Sequence, residues 1–167
     1  MSKQQNQGSM DRRSFLAGAG AATLSFTVMK PRQARGYSAN EKVKIGLIGC
    51  GGRGVWIANL FRKHGGYEFT AGADYFADRV SDFGGKFNIP ENRQFTGLSS
   101  YKRLLDSGVD AIAVESPPYF HPEQAQAGVE AGVHVYVAKP IAVDVPGCRT
   151  IEQSGRKASA SKQVFLI

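Results

Sequence analysis

The chain has 167 residues, of which 42% are hydrophobic, and its 21 Lys and Arg residues against 14 Asp and Glu give a formal net charge of +7. This composition excludes a fully disordered chain, the two cysteines exclude a disulfide-rich scaffold, and the length allows one domain with a leader. Residues 1–36 account for +5 of the net charge, so the remaining chain is nearly neutral, which argues against nucleic acid binding.

The first 36 residues have the pattern of a targeting segment. A polar start leads to Arg-Arg-x-Phe-Leu at positions 12–16, and an apolar run continues to residue 29. A helix of that run would span about 21 Å, less than the roughly 30 Å of a bilayer core, so no permanent membrane span is expected. The segment resembles a twin-arginine export signal, which predicts recognition by the export machinery and a periplasmic or other extracytoplasmic location. The alternative is an N-terminal tail with a chance arginine pair.

From residue 42 onward, short apolar runs alternate with helical stretches. The strand candidates are rich in Val and Ile and are bounded by Gly, Asp or Pro: Val43–Ile48, Glu68–Ala73, Ala111–Val114, His134–Val137 and Val164–Ile167. The helix candidates between them are Arg53–His64, Ala77–Phe87, Ser100–Ser107, about Pro122–Gly132 and about Pro146–Ala158. This alternation predicts an α/β fold with a doubly wound parallel sheet over residues 42–167. Because the last strand candidate runs to the end of the sequence, we expect the chain to be a piece of a longer protein.

A glycine-rich loop follows the first strand candidate. Its sequence, Gly-Cys-Gly-Gly-Arg-Gly, has the form G-x-G-x-x-G between a strand and a helix. Glycines there permit a sharp turn and let a diphosphate approach the amides at a helix start. The residues predicted to cradle the diphosphate are Gly49, Gly51, Gly52, Arg53 and Gly54. The alternative is a tight turn with no ligand, and Cys50 within the loop is expected to be a small buried side chain without a redox role.

Asp74 ends the second strand candidate, twenty residues after Gly54. A carboxylate at this position can accept hydrogen bonds from ribose hydroxyls and repels a 2′-phosphate. Tyr75 follows, where an arginine would suit a phosphorylated ribose. The pattern therefore predicts NAD as the cofactor in preference to NADP. The alternative is a solvated residue at the end of a strand.

Two further segments follow strand candidates, at the edge where open α/β sheets bind ligands. Lys139 follows the fourth strand candidate; shielded from water it could exchange a proton, and otherwise it is a surface cation. His121 either contacts a ligand or caps the helix that begins near Pro122. No His, Cys, Asp and Glu residues have the spacing of metal ligands, so no metal site is predicted.

Residues 42–167 resemble the N-terminal half of the glucose–fructose oxidoreductase/inositol dehydrogenase (Gfo/Idh/MocA) family. The matching pieces are Ile45–Gly54, Asp74, the Pro-Pro-x-x-His turn ending at His121, Glu130–Val135 and Lys139-Pro140. The resemblance implies a Rossmann fold that binds NAD(H) or NADP(H), with Ser116 and Pro117 lining the nicotinamide side. It also implies that Lys139 lies beside the nicotinamide and a substrate hydroxyl, as the catalytic proton donor or acceptor.

The resemblance has two departures. The family usually has Glu-Lys-Pro, whereas Ala138 precedes the lysine here, so a carboxylate beside Lys139 is lost. The family also has a second α/β domain that binds substrate and usually forms the oligomer, and none of it lies within these 167 residues.

The sequence therefore predicts an exported oxidoreductase that transfers hydride between a nicotinamide cofactor and a sugar or polyol, represented by its leader and cofactor domain. A homo-oligomer is possible in a full-length form. One alternative is an NAD-dependent glycoside hydrolase of the same family. Another is a dinucleotide-binding domain without catalytic activity. The loss of the Glu and the lack of a second domain support this alternative.

Overall fold

The computed structural model describes residues 42–167, and the predicted leader lies outside them. The strands of this part are β1 (Val43–Ile48), β2 (Tyr67–Asp74), β3 (Gln94–Thr96), β4 (Ala111–Val114), β5 (His134–Val137) and β6 (Phe165–Leu166). The α-helices are α1 (Gly52–His64), α2 (Ala77–Phe87), α3 (Ser100–Asp106), α4 (His121–Glu130) and α5 (Val145–Ala160), and a short 3₁₀ turn covers Glu91–Arg93. None of these helices is both long and apolar enough to cross a membrane.

The strand and helix predictions are confirmed, with small shifts at the ends of elements. β3 is the exception, because no strand was predicted at Gln94–Thr96. It has only three residues, two of them polar, so it lacks the apolar run that identifies a buried strand. The strand predicted at Val164–Ile167 is shorter, at Phe165–Leu166.

All six strands of the described chain belong to one parallel sheet in the order β3-β2-β1-β4-β5-β6. The predicted doubly wound Rossmann fold is therefore confirmed. The chain first adds strands on one side of β1 and then crosses over to add β4 on the other side. Since all strands are parallel, their carboxyl ends lie at one edge, and the crossover leaves an opening beside the end of β1 where such sheets bind ligands.

The core has two parts, one on each face of the sheet. In β4, Ile112 and Val114 belong to one cluster and Ala113 to the other, as expected because successive strand residues point to opposite faces. The first cluster includes side chains of α3, α4 and α5, and the second includes side chains of α1 and α2. Both faces are thus covered by helices, which fixes the strands and the loops that leave their carboxyl ends.

Candidate functional site

A crevice of about 650 Å³ lies at the carboxyl edge of the sheet, next to the ends of β1, β2 and β4. Its volume lies within the roughly 300–1,000 Å³ typical of small-molecule sites. Among its lining residues are most of those predicted from the sequence: Gly49, Gly51, Gly52, Arg53, Gly54, Asp74, Ser116 and Pro117. Three separate segments of the chain therefore meet at one site. His121 and Lys139 are not among the residues that line it.

The glycine loop is packed so closely that side chains are excluded at two positions. Gly49 has a φ of +95°, and a Cβ there would lie 2.5 Å from the backbone carbon of Glu115 and the nitrogen of Ser116. A Cβ on Gly54 would overlap the carbonyl oxygen of Gly49, because α1 begins directly against the loop. In contrast, a Cβ on Gly52 would meet no atom within 4 Å, so the loop faces open space there. A ligand can approach the backbone at this point.

The start of α1 leaves its amides available to a ligand. Its N-cap is Gly51, which makes no side-chain capping hydrogen bond, and the first turn contains no acidic residue. The first amides of a helix have no partner within the helix, and they carry the positive end of the helix dipole. The start of α1 is therefore suited to binding a phosphate group.

Asp74 holds the glycine loop with its carboxylate. Its Oδ2 accepts a hydrogen bond of 2.7 Å from the amide of Cys50, and its Oδ1 accepts one of 3.0 Å from the amide of Phe76. The amide of Gly49 donates to the carbonyl of Ala73 at 2.8 Å, which ties the loop to the same end of β2. Each carboxylate oxygen can accept a further hydrogen bond, so Asp74 can support the loop and still bind ligand hydroxyls.

Arg53 forms an ion pair that was not predicted from the sequence. Its Nε donates to Oε2 of Glu115 at 3.0 Å, and the Glu115 side chain is 0% exposed while that of Arg53 is 54% exposed. Burial raises the pKa of the Glu115 carboxyl above its ordinary value, and the nearby Arg53 charge opposes this shift. An acidic residue directly after an apolar strand was the available signal, but its partner lies 62 positions earlier in the chain.

Several exposed side chains line the crevice on the side of β2, and sequence reasoning missed all of them except Tyr75. They are Tyr75, Phe76, Arg79 and Leu98. The Arg79 guanidinium lies 5.0 Å from the centre of the Phe76 ring, a distance typical of a cation–π contact. Two of the four carry aromatic rings, whose faces can contact a planar base.

His121 is buried and joins two loops rather than lining the crevice. Its ring nitrogens lie 3.0 Å (Nδ1) and 2.6 Å (Nε2) from the carbonyl oxygens of Pro140 and Ser116. Burial lowers its pKa. The helix-capping alternative is wrong, because α4 has no side-chain capping bond and Phe120 is its N-cap. The ring instead connects the loop after β4 to the loop after β5.

Lys139 lies just beyond β5, at the same edge of the sheet as the crevice. The amide of the preceding residue, Ala138, donates to the carbonyl of Val114 at 3.0 Å, which extends the pairing of β5 with β4. The Lys139 side chain is exposed rather than shielded from water. It is therefore accessible to a molecule bound over the edge of the sheet.

Cys50 is buried in the loop, as predicted, with 3% of its surface exposed. Burial, reinforced by the charge of Asp74, raises the pKa of its thiol, so it lacks the character of a reactive thiolate. Among residues 42–167, no three His, Cys, Asp or Glu side chains are grouped so that they could hold a metal ion.

Comparison with protein families gives one match that covers most of the described chain. The sequence model of an oxidoreductase family, described as the NAD-binding Rossmann fold of Gfo/Idh/MocA, matches residues 43–165. Among curated proteins, a glycosyl hydrolase family 109 protein of Solibacter usitatus is 30% identical over 155 residues, covering 88% of this chain and 34% of its own length. An alpha-N-acetylgalactosaminidase of Shewanella oneidensis is 29% identical over 160 residues, covering 82% of this chain and 35% of its own length. The chain thus spans about a third of the length of these relatives.

Solved structures share the fold. The WlbA dehydrogenase of Bordetella pertussis, in complex with NADH and UDP-GlcNAcA, aligns with a TM-score of 0.64 at 23% identity over 76% of this chain and 38% of its own. A 3-ketoreductase of Actinomadura kijaniata, in complex with NADP, aligns with a TM-score of 0.64 at 25% identity over 75% of this chain and 38% of its own. These two similar proteins are described with different forms of the nicotinamide cofactor.

Proposed function

Because the chain belongs to the Gfo/Idh/MocA oxidoreductase family, we propose that its described domain binds NAD(H) and serves an oxidoreductase that acts on a sugar or polyol hydroxyl. The observation that carries this proposal is the crevice beside the end of β1, where the glycine loop, the start of α1 and Asp74 meet. A dinucleotide needs an anion site next to a hydroxyl acceptor, and these groups supply both.

Different residues of the crevice bind different parts of the dinucleotide. The open backbone at Gly52 and the amides at the start of α1 receive the diphosphate. Asp74 accepts hydrogen bonds from the adenosine ribose, while Tyr75 and Phe76 offer ring surfaces to the adenine. The negative charge of Asp74 disfavours a 2′-phosphate, which supports NAD over NADP.

The catalytic step is assigned to Lys139. The bound nicotinamide supplies a centre that accepts or donates a hydride. In the direction of reduction, the exposed ammonium of Lys139 gives its proton to the carbonyl oxygen of the substrate as the hydride arrives; in the direction of oxidation, the neutral amine accepts the hydroxyl proton as the hydride leaves. His121 acts indirectly, since its contact with the Pro140 carbonyl fixes the loop that carries Lys139.

A titration of NADH fluorescence tests the cofactor site. We expect the wild-type chain to bind NADH and Asp74→Ala to weaken binding by about tenfold or more, because ribose hydrogen bonds to a charged group are lost. Asp82→Ala is the matched control, since Asp82 is an exposed acid of α2 that does not line the crevice. Equal NADH affinity in wild type and Asp74→Ala would remove the ribose assignment.

A second candidate function is NAD-dependent glycoside hydrolysis. It is favoured by two curated relatives, one of 30% identity named as a glycosyl hydrolase family 109 protein and one of 29% identity named as an alpha-N-acetylgalactosaminidase. The two functions differ in their products: a dehydrogenase accumulates NADH from free sugar, whereas the hydrolase releases the aryl group of an aryl α-N-acetylgalactosaminide without accumulating NADH. Measuring both products in one preparation of a full-length form, which carries the substrate-binding domain, distinguishes them.

The proposed location is outside the cytoplasm, reached through the twin-arginine leader. This proposal depends on residues 12–16 of the sequence alone, since the leader lies outside the described residues. Replacing both arginines with lysine and following the protein by cell fractionation tests it, with retention in the cytoplasm as the expected result.

A further inference from the structure

We propose that Glu115 is a positioning residue for dinucleotide binding: it fixes Arg53 so that the terminal nitrogens of the guanidinium are held ready for a phosphate. This inference rests on the proposed function, because it assumes that the crevice binds a diphosphate. The pair connects the first turn of α1 to the end of β4, and both residues line the crevice.

The contribution of the Arg53–Glu115 pair to the stability of the fold does not explain its geometry. The Glu115 side chain is 0% exposed, yet its Oε1 has no hydrogen-bond partner, the only such buried side-chain atom within residues 42–167. Buried polar groups are nearly always satisfied, and a buried ion pair is often no more stabilising than apolar side chains of the same size. A carboxylate in such surroundings calls for an explanation other than stability.

The hydrogen bond leaves Arg53 equipped to bind an anion. Nε of Arg53 donates to Glu115, and the four N–H groups on Nη1 and Nη2 have no partner among the hydrogen bonds of the described chain. Two parallel N–H groups of a guanidinium match two oxygens of a phosphate. A free arginine loses rotamer entropy when it binds, and anchoring at Nε by an immobile carboxylate reduces this loss.

The position of the pair indicates which phosphate it serves. Asp74 lies at the end of β2, on one side of the glycine loop, and Glu115 follows β4 on the other side. If Asp74 holds the adenosine ribose, the phosphate next to adenosine lies over the loop and the second phosphate lies toward Arg53. ADP, which has both phosphates, should therefore depend on Glu115, whereas AMP should not.

Calorimetric titration of the 167-residue chain with NADH, ADP and AMP tests the proposal. We expect Glu115→Ala to weaken NADH and ADP binding by about tenfold and to leave AMP binding within about twofold. Glu115→Gln, which still accepts a hydrogen bond from Nε, should restore most of the affinity. Arg53→Ala and the double variant should bind ADP equally weakly, since Glu115 acts only through Arg53.

Two further variants complete the test. Glu152→Ala is the matched control, because it removes another Glu–Arg pair (2.7 Å to Arg156) that is exposed on α5. If Glu115→Ala does not fold, Glu115→Met repeats the test with an apolar side chain of similar volume. Thermal melting of each variant separates loss of folding from loss of binding.

The proposal is overturned if Glu115→Ala binds ADP as tightly as wild type or more tightly, if AMP binding falls as much as ADP binding, or if the losses of the two single variants add in the double variant. If the wild-type chain binds NADH and Glu115→Ala binds it with the same affinity, this inference is refuted while the proposed function stands. A wild-type chain that binds none of the three nucleotides refutes the proposed function and this inference with it.

Discussion

Substituting Gly54 by alanine tests whether close contact between α1 and the glycine loop builds the site. A Cβ at Gly54 would overlap the carbonyl oxygen of Gly49 and lie 3.2 Å from a methyl carbon of Leu47. The carbonyl is backbone and cannot rotate away, so the start of α1 must shift outward. Because the amides proposed to bind the diphosphate belong to this part of the helix, the shift should weaken ligand binding as well as folding.

The expected magnitude follows from two opposing effects. Forcing an extra methyl group into a packed site costs about 1–3 kcal/mol, and the rigid backbone contact places Gly54→Ala near the upper value. Replacing glycine within a helix by alanine contributes about 1 kcal/mol of stabilisation. The net loss in the free energy of unfolding should be about 2 kcal/mol, which shifts a urea midpoint by about 1 M.

Gly85→Ala is the matched control. Gly85 lies inside α2, and a Cβ there would meet nothing within 4 Å, so only the stabilising effect applies. Urea unfolding followed by circular dichroism should place Gly54→Ala below wild type and Gly85→Ala above it, with NADH affinity reduced only in Gly54→Ala. A Gly54→Ala variant as stable as wild type would show that helix and loop are not in the contact described.

Three further predictions concern the same region. Gly52→Ala should not lower the melting temperature but should weaken NADH binding by about tenfold, because its Cβ enters the open space proposed for the diphosphate; unchanged affinity would place the ligand elsewhere. Because the pKa of His121 is lowered by folding, the unfolded chain binds a proton below about pH 6.5 that the folded chain does not bind. The free energy of unfolding should therefore decrease as the pH is lowered, and it should decrease by up to about 1.4 kcal/mol per pH unit more in wild type than in His121→Gln. Parallel urea titrations of the two proteins from pH 7.5 to 5 measure this difference, and identical slopes would contradict it. A thiol reagent should modify the exposed Cys148 of the folded chain rapidly and the buried Cys50 only after unfolding, as mass spectrometry of the labelled peptides would show; rapid labelling of both would contradict the burial of Cys50.

Much of the fold was predictable because local patterns dominate it. β1 and β4 are short, largely apolar runs bounded by charged residues or glycine, and the structure gives them the predicted ends. The glycine loop and Asp74 were predictable for the same reason, since the motif lies between a strand and a helix and the acid ends the next strand. β3 was missed because its pairing with β2 depends on tertiary packing rather than on its own sequence.

The rest of the site depends on contacts that a linear pattern does not contain. The sequence indicates only that Glu115 is an acidic residue that follows a strand, and the fold is needed to place Arg53 of α1 against it. Arg79 lies on α2 only three residues after Phe76, so their contact is local, but the fold decides that both side chains line the crevice. His121 was predicted to contact a ligand or cap a helix, whereas its ring lies between the carbonyl oxygens of Ser116 and Pro140, which belong to loops whose spacing is not encoded locally.

Asp74 holds the glycine loop and is proposed to bind the ribose, and this combination has a consequence for engineering coenzyme preference. An acid at this position disfavours a 2′-phosphate, so a phosphorylated coenzyme would call for its removal, but here the same two oxygens accept hydrogen bonds from the amides of Cys50 and Phe76. Neutralising it would therefore loosen the turn that the coenzyme needs. Tyr75 is the better starting point, since its side chain is 60% exposed at the rim and can be exchanged for a cation while the acid stays in place.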